Sequence, residues 1–170
     1  MGVFKKLDWR RMDVRAIVSF AGIAVVEDRR HSECRAWLTS NNYLIDSVDC
    51  TNGLAEAIPA LGDLCRWEEK FGYVLKPDDR NLNALRDGFC FLEAPDGDGG
   101  RVLEVIRPEL AWEEDSEWLL GLLSIAKEHS REQLALGRRF FTLLAIEDSE
   151  SALINQIFDI SRVPGPISSL

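Results

Sequence analysis

Histidine, methionine and tyrosine are scarce in this sequence, with two of each among 170 residues. The two histidines, His31 and His129, leave few imidazoles for a metal centre or for acid–base chemistry. The four cysteines, Cys34, Cys50, Cys65 and Cys90, include no C-x-x-C pair. They read as small buried hydrophobes in a reducing compartment rather than as zinc ligands. There is no Walker sequence, no G-x-S-x-G, and no glycine fingerprint leading into a helix, so nucleotide binding and a serine-hydrolase elbow have no support. Neither a cofactor nor a metal is expected. Asp96-x-Asp98-x-Gly100 looks like a fragment of a calcium loop, but the further acidic ligands are missing and a plain turn is the simpler reading.

Long hydrophobic runs are also missing. The longest, residues 16–26, is broken by Ser19 and Gly22, and falls far short of the roughly 20 residues a spanning helix needs. Lys5, Lys6, Arg10, Arg11 and Arg15 precede it, which raises a signal peptide. Asp8 and Asp13 interrupt that basic stretch, and Glu27 and Asp28 close the run, so a buried strand is expected instead. Lys6 stands where a myristoylation signal needs Ser or Thr. The expected location is cytoplasmic, with no membrane partner.

What is abundant is acid. The formal net charge is −9, and it is unevenly spread. Residues 1–40 carry 8 basic and 5 acidic side chains, whereas residues 41–170 carry 12 basic and 24 acidic ones. Such a chain is poorly suited to clamping a phosphate backbone, so no nucleic acid is expected. It suits a basic protein, because opposite fields steer encounter.

The pattern along the chain alternates. The β-branched density of residues 15–26 predicts a strand, bent at Gly22. Ser32 reads as the N-cap of a short helix ended by Asn41-Asn42. Residues 43–48 read as a second strand. Leu54, Ile58, Leu61, Leu64 and Trp67 recur at helical spacing, with Pro59 expected to divide two pieces. Asp78 or Asp79 is expected to cap the next helix, in which Leu82, Leu85 and Phe89 mark a buried face. Residues 102–106 give a third strand. The acids 113–117 open a long helix, Gly137 stops it, and residues 139–146 form a fourth strand. Ser149 opens a last short helix. Strands alternating with helices predict an α/β fold with a small, mostly parallel sheet of three or four strands covered by helices.

The most informative tract is residues 78–89. Asp79, Asn83 and Asp87 fall at i, i+4 and i+8, on a helix ridge opposite Leu82, Leu85 and Phe89. A solvated helix face is the plain reading. A small cysteine hydrolase pairing Cys65 or Cys90 with His129 is a distinct alternative, since a thiolate with an imidazole in reach can act as a nucleophile.

Asn81-Leu82-Asn83-Ala84-Leu85-Arg86-Asp87 resembles the helix tract of the barstar family of ribonuclease inhibitors, Phe-Gly-x-Asn-Leu-Asp-Ala-Leu-x-Asp. The likeness extends over residues 43–147, where strands 43–48, 102–106 and 140–146 stand for the family's three. It implies a non-enzymatic inhibitor, immunity protein or antitoxin whose acidic helix plugs the site of a basic nuclease or toxin. By the same resemblance the partner-binding residues are Tyr73, Asp78, Asp79, Asn83 and Asp87. Asn83 stands where the family has an acid, and seven residues separate Phe71-Gly72-Tyr73 from Asn81 where the family has almost none. A protein-interaction module that has lost inhibition is the alternative with the same fold. The resemblance divides the chain into an N-terminal extension over 1–42, with a strand and a short helix joined to the sheet, a barstar-like domain over 43–160, and a loose tail over 161–170.

Overall fold

Near-continuous apolar runs, Val-Leu-Glu-Val-Ile and Phe-Phe-Thr-Leu-Leu-Ala-Ile, place apolar side chains on both faces of a central sheet, as a strand buried on two sides requires. The computed structural model describes residues 11–147 and 152–161. Its elements are α1 (Met12–Ser19), β1 (Ile23–Glu27), α2 (Asp28–Ser40), β2 (Tyr43–Asp49), α3 (Leu54–Leu64), α4 (Trp67–Phe71), α5 (Leu82–Phe89), β3 (Gly100–Ile106), α6 (Pro108–Glu114), α7 (Ser116–Ala135), β4 (Phe140–Ile146) and α8 (Ala152–Ser161). The four strands pair in the order β1-β4-β3-β2, all parallel. The fold is therefore α/β with a small parallel sheet covered by helices.

Neighbouring residues of one strand enter opposite cores. Leu103, Val105, Phe140 and Leu144 join the core formed with helices α3 to α8. Val102, Phe141 and Leu143 join a second core with Met12, Ala16 and Ile17 of α1 and Cys34 and Leu38 of α2. Because β1 and β2 are the two edges, α2 must carry the chain across the whole sheet on that second face.

Several sequence expectations are corrected here. The strand predicted over residues 15–26 is confined to Ile23–Glu27, and Met12–Ser19 is helical. Met12, Ala16, Ile17 and Phe20 are buried at a helical spacing, and this outweighs the β-branched composition. Ala21 and Gly22, both at positive φ, turn the chain from α1 into β1. The second helix begins at Asp28, not after Ser32, and its N-cap Glu27 makes no side-chain capping bond. Pro59 lies within α3; the break comes instead at Arg66, which is left-handed at φ 53°. Burial of Leu54, Ala57, Ile58 and Leu61 holds α3 together across the proline. The long helix predicted from residue 113 starts at Ser116, and a separate short helix, α6, which the sequence reading did not expect, precedes it; the two part at Asp115, whose carboxylate accepts the Trp118 N–H at 2.9 Å.

Gly137 ends α7 as expected. It adopts φ +82°, its N–H reaches the Leu134 carbonyl at 3.0 Å, and the Arg138 N–H reaches Gln133 at 2.9 Å. That pair of bonds is a Schellman cap. Ser149, the polar segment 1–10 and the tail after Ser161 lie outside the described residues. No helix among the described residues is long and apolar enough to cross a membrane.

Candidate functional site

The α5 helix is short and strongly two-sided. Leu85, Gly88 and Phe89 are buried, while Asn83, Arg86 and Asp87 are exposed. It packs between α7 and α4 through two glycines. A Cβ at Gly121 of α7 would lie 2.3 Å from the Leu82 side chain, and a Cβ at Gly88 would lie 2.7 Å from the Trp67 ring. Backbone and ring therefore meet at a distance no larger residue allows. Arg86 adds an exposed ion pair to Glu128 of α7 at 3.1 Å.

The helix start differs from the sequence expectation. Neither Asp78 nor Asp79 caps α5. The Asn81 side chain does, accepting the N–H groups of Asn83 and Ala84, both at 3.1 Å. Asp79 lies one step further out and accepts the Asn81 N–H at 3.2 Å. The ridge expected from Asp79, Asn83 and Asp87 is therefore carried by Asn83 and Asp87, with Asp79 in the loop that leads in. Removing the cap with Asn81→Ala should cost about 1 kcal/mol of stability, while Asn81→Asp should keep it. Urea unfolding of both variants checks this, and an unchanged midpoint for the alanine variant would refute the cap.

The leading loop is anchored at both ends. Leu75 is buried against Gly62 of α3. Arg80 bonds the Pro77 carbonyl at 2.6 Å and pairs with Glu114 and Asp115, both at 3.3 Å. Glu114 in turn accepts the Leu54 N–H at the start of α3 at 2.8 Å. The loop thus joins an acidic corner between α6 and α7 that sequence spacing did not reveal. Tyr73 stands edge-on to Trp67 with centroids 6.0 Å apart. Trp67 is the ring Gly88 approaches, so Tyr73 and the end of α5 share one support. Phe71, Tyr73 and Val74 are exposed apolar residues. Asp78 and Asp87 are exposed, and their carboxylates make no hydrogen bond or ion pair among the described residues.

The cysteine–histidine pairing expected as an alternative is not assembled. Burial pushes the Cys65 thiol up to about 12. Cys90 is exposed at the end of α5. His129 is buried, bonds the Leu92 carbonyl at 3.1 Å, and faces Phe89 and Phe140. Its hydrogen bonds reach neither thiol. Among the described residues no group of three or more His, Cys, Asp or Glu side chains is placed to hold a metal ion.

Sequence reading missed two buried carboxylates on the α1–α2 face. Glu104 of β3 is fully buried, with Oε1 2.6 Å from His31 Nε2 and Oε2 accepting from Ser47 Oγ at 2.6 Å and from Arg35. Asp13 of α1 is also fully buried. It accepts from the Tyr43 hydroxyl at 2.5 Å and from Arg11 at 2.9 Å, with Arg139 3.8 Å away. The signal for Glu104 was its place in Val-Leu-Glu-Val-Ile, a lone charge inside an apolar strand. Both networks tie helices to the sheet.

No family model, curated protein or solved structure matches the chain.

Proposed function

We propose that this protein is a barstar-like inhibitor or immunity protein, which binds a basic ribonuclease or nuclease toxin through the exposed face of α5 and the loop before it. The observation that carries the reading is Asp87, an exposed carboxylate without an internal partner on a helix clamped from behind. A nuclease site built from Lys, Arg and His to hold phosphate can accept such a carboxylate, and charge-assisted hydrogen bonds then form on a surface that needs no rearrangement. Asp78 and Asp79 extend the acidic edge, Asn83 offers an amide, and Tyr73 an aromatic flank. The net −12 of residues 41–170 supplies the long-range field. The protein acts here as a binding surface, not as an enzyme, and needs no cofactor.

A panel of purified basic ribonucleases and nuclease toxins tests this. At low salt the immobilised protein should retain its partner and suppress the nuclease stoichiometrically. High salt should weaken capture, because the encounter is electrostatic. Absence of any salt-sensitive partner in the panel would count against the reading. The neutral Asn83 favours one rival, an interaction module of the same fold that no longer inhibits. Retention of a nuclease with full activity would support that rival.

A further inference from the structure

His129 lies where the outer helix meets the core. Its ring is buried in the middle of α7, edge-on to Phe89 of α5 at 5.8 Å and to Phe140 of β4 at 4.6 Å. Its Nε2 bonds the carbonyl of Leu92, in the segment that follows α5, at 3.1 Å. One imidazole therefore touches the recognition helix, the chain leaving it, and a central strand. The charged groups acting on it are Glu132 on its own helix, with Oε2 3.8 Å from Nδ1, Glu93 in the segment after α5, and Arg101 on β3.

We propose that His129 is an acid-sensitive seat for α5, so that protonating its ring loosens this helix and the turn after it while the sheet stays folded. The neutral ring satisfies the Leu92 carbonyl and packs between two phenyl groups. A charged ring must hold its second N–H and its charge in the same largely apolar space, and burying that charge is costly when its nearest counter-charge, the exposed Glu132 carboxylate, stands 3.8 Å away, beyond hydrogen-bond reach. Burial holds the imidazole below the usual histidine range, despite the Leu92 bond and the pull of Glu132 and Glu93, and Arg101 adds to the effect.

The sign follows from linkage. Above about pH 6.5 the ring is neutral whether α5 is seated or open. As pH falls below that value, the open form takes up the proton first, so opening becomes more favourable. α5 yields before the sheet because it is only two turns long and is held mainly by Leu85, Gly88 and Phe89, whereas β3 and β4 are the inner strands. Weaker binding of the proposed partner in acid would follow. That consequence rests on the functional reading above, whereas the seat itself is a property of the free protein.

Hydrogen exchange of the free protein, corrected for intrinsic rates, separates the two. Between about pH 7 and pH 5, protection of amides in residues 82–92 should fall by up to about tenfold per pH unit, the limit for one proton. Amides of β3 and β4 should change much less. His129→Gln, which keeps a donor for Leu92 but does not titrate in this range, should flatten the profile. An NMR titration of the native ring needs no variant, and its midpoint should fall below that of an exposed histidine and coincide with the shifts of α5. A profile unchanged in His129→Gln, an ordinary ring midpoint, or loss of sheet protection in step with α5 would each overturn the proposal. Failure to find a nuclease partner would leave it standing.

Discussion

Replacing Asp13 by alanine is expected to lower stability by about 3–5 kcal/mol, the cost of removing one side of a buried ionic cluster. The carboxylate is completely enclosed between α1, the start of β2 and the start of β4. Three groups depend on it. The Tyr43 hydroxyl, whose ionisation burial and Asp13 both oppose, donates to it as a neutral phenol. Arg11 forms a two-pronged pair with it at 2.9 and 3.1 Å. Arg139, itself only 5% exposed, lies 3.8 Å from it. Alanine leaves a phenol without its acceptor and a buried guanidinium without this counter-charge. Asp13→Asn should fall between the two, since an amide oxygen can still accept from Tyr43 but the charge is gone. Glu104→Ala should cost less than Asp13→Ala although Glu104 is equally buried. Its partner Arg35 is 41% exposed and can turn to water. Urea unfolding at neutral pH measures all three. A midpoint shift at constant slope is the expected form, and a loss below about 1 kcal/mol for Asp13→Ala would refute the cluster's role.

The contrast between these carboxylates and the rest of the fold shows what residue order can reveal. Strands β2, β3 and β4 were legible because each combines β-branched or aromatic residues with turn residues on both sides, as in Phe-Phe-Thr-Leu-Leu-Ala-Ile after Gly137. The end of α7 was legible for a local reason too, since Gly137 is the residue best suited to a left-handed cap. The element boundaries that failed depend on tertiary contact. Met12–Ser19 is rich in β-branched residues, and only its packing against β1 and β4 makes it a helix. Pro59 should have ended α3, yet the buried face on the sheet carries the helix past it. Asn81, rather than either aspartate, caps α5 because Leu75 and Arg80 fix where the loop arrives.

The candidate site shows the same division. Asp87 and Asn83 were legible as an exposed ridge because helical spacing alone places them opposite Leu85 and Phe89. The acidic corner at Glu114 and Asp115 was not, because Arg80 reaches it across 34 residues of chain. The seat at His129 was equally hidden. In sequence it is one polar residue of Lys-Glu-His-Ser-Arg, a stretch that reads as a surface. Only the approach of Phe89, Leu92 and Phe140 from three other parts of the chain makes it an interior group.

Asp87→Ala and Leu85→Ala, two residues apart but on opposite sides of α5, should have opposite effects. Asp87 is exposed and its carboxylate makes no internal bond among the described residues, so its loss should change stability by no more than about 0.5 kcal/mol. In the proposed complex it lies against cationic groups of the nuclease. Truncating it there leaves a buried cation unpaired, and binding should weaken by about 2–5 kcal/mol, mostly through a faster off-rate. That range is the one found generally for buried charge pairs at interfaces, the barstar family's own complex among the cases behind it. Leu85 is 3% exposed within the larger core. Its truncation should cost about 2–5 kcal/mol of stability by opening a cavity, and should affect binding only to the extent that α5 moves. Denaturant unfolding and binding kinetics on the same two proteins separate the effects. If Asp87→Ala binds the nuclease as the parent does, the recognition face is not the ridge of α5. An effect of Asp87→Ala that persisted undiminished at high salt would point elsewhere as well, to a change in helix packing rather than to a lost charge pair, because Arg86 beside it holds α5 to α7 through Glu128.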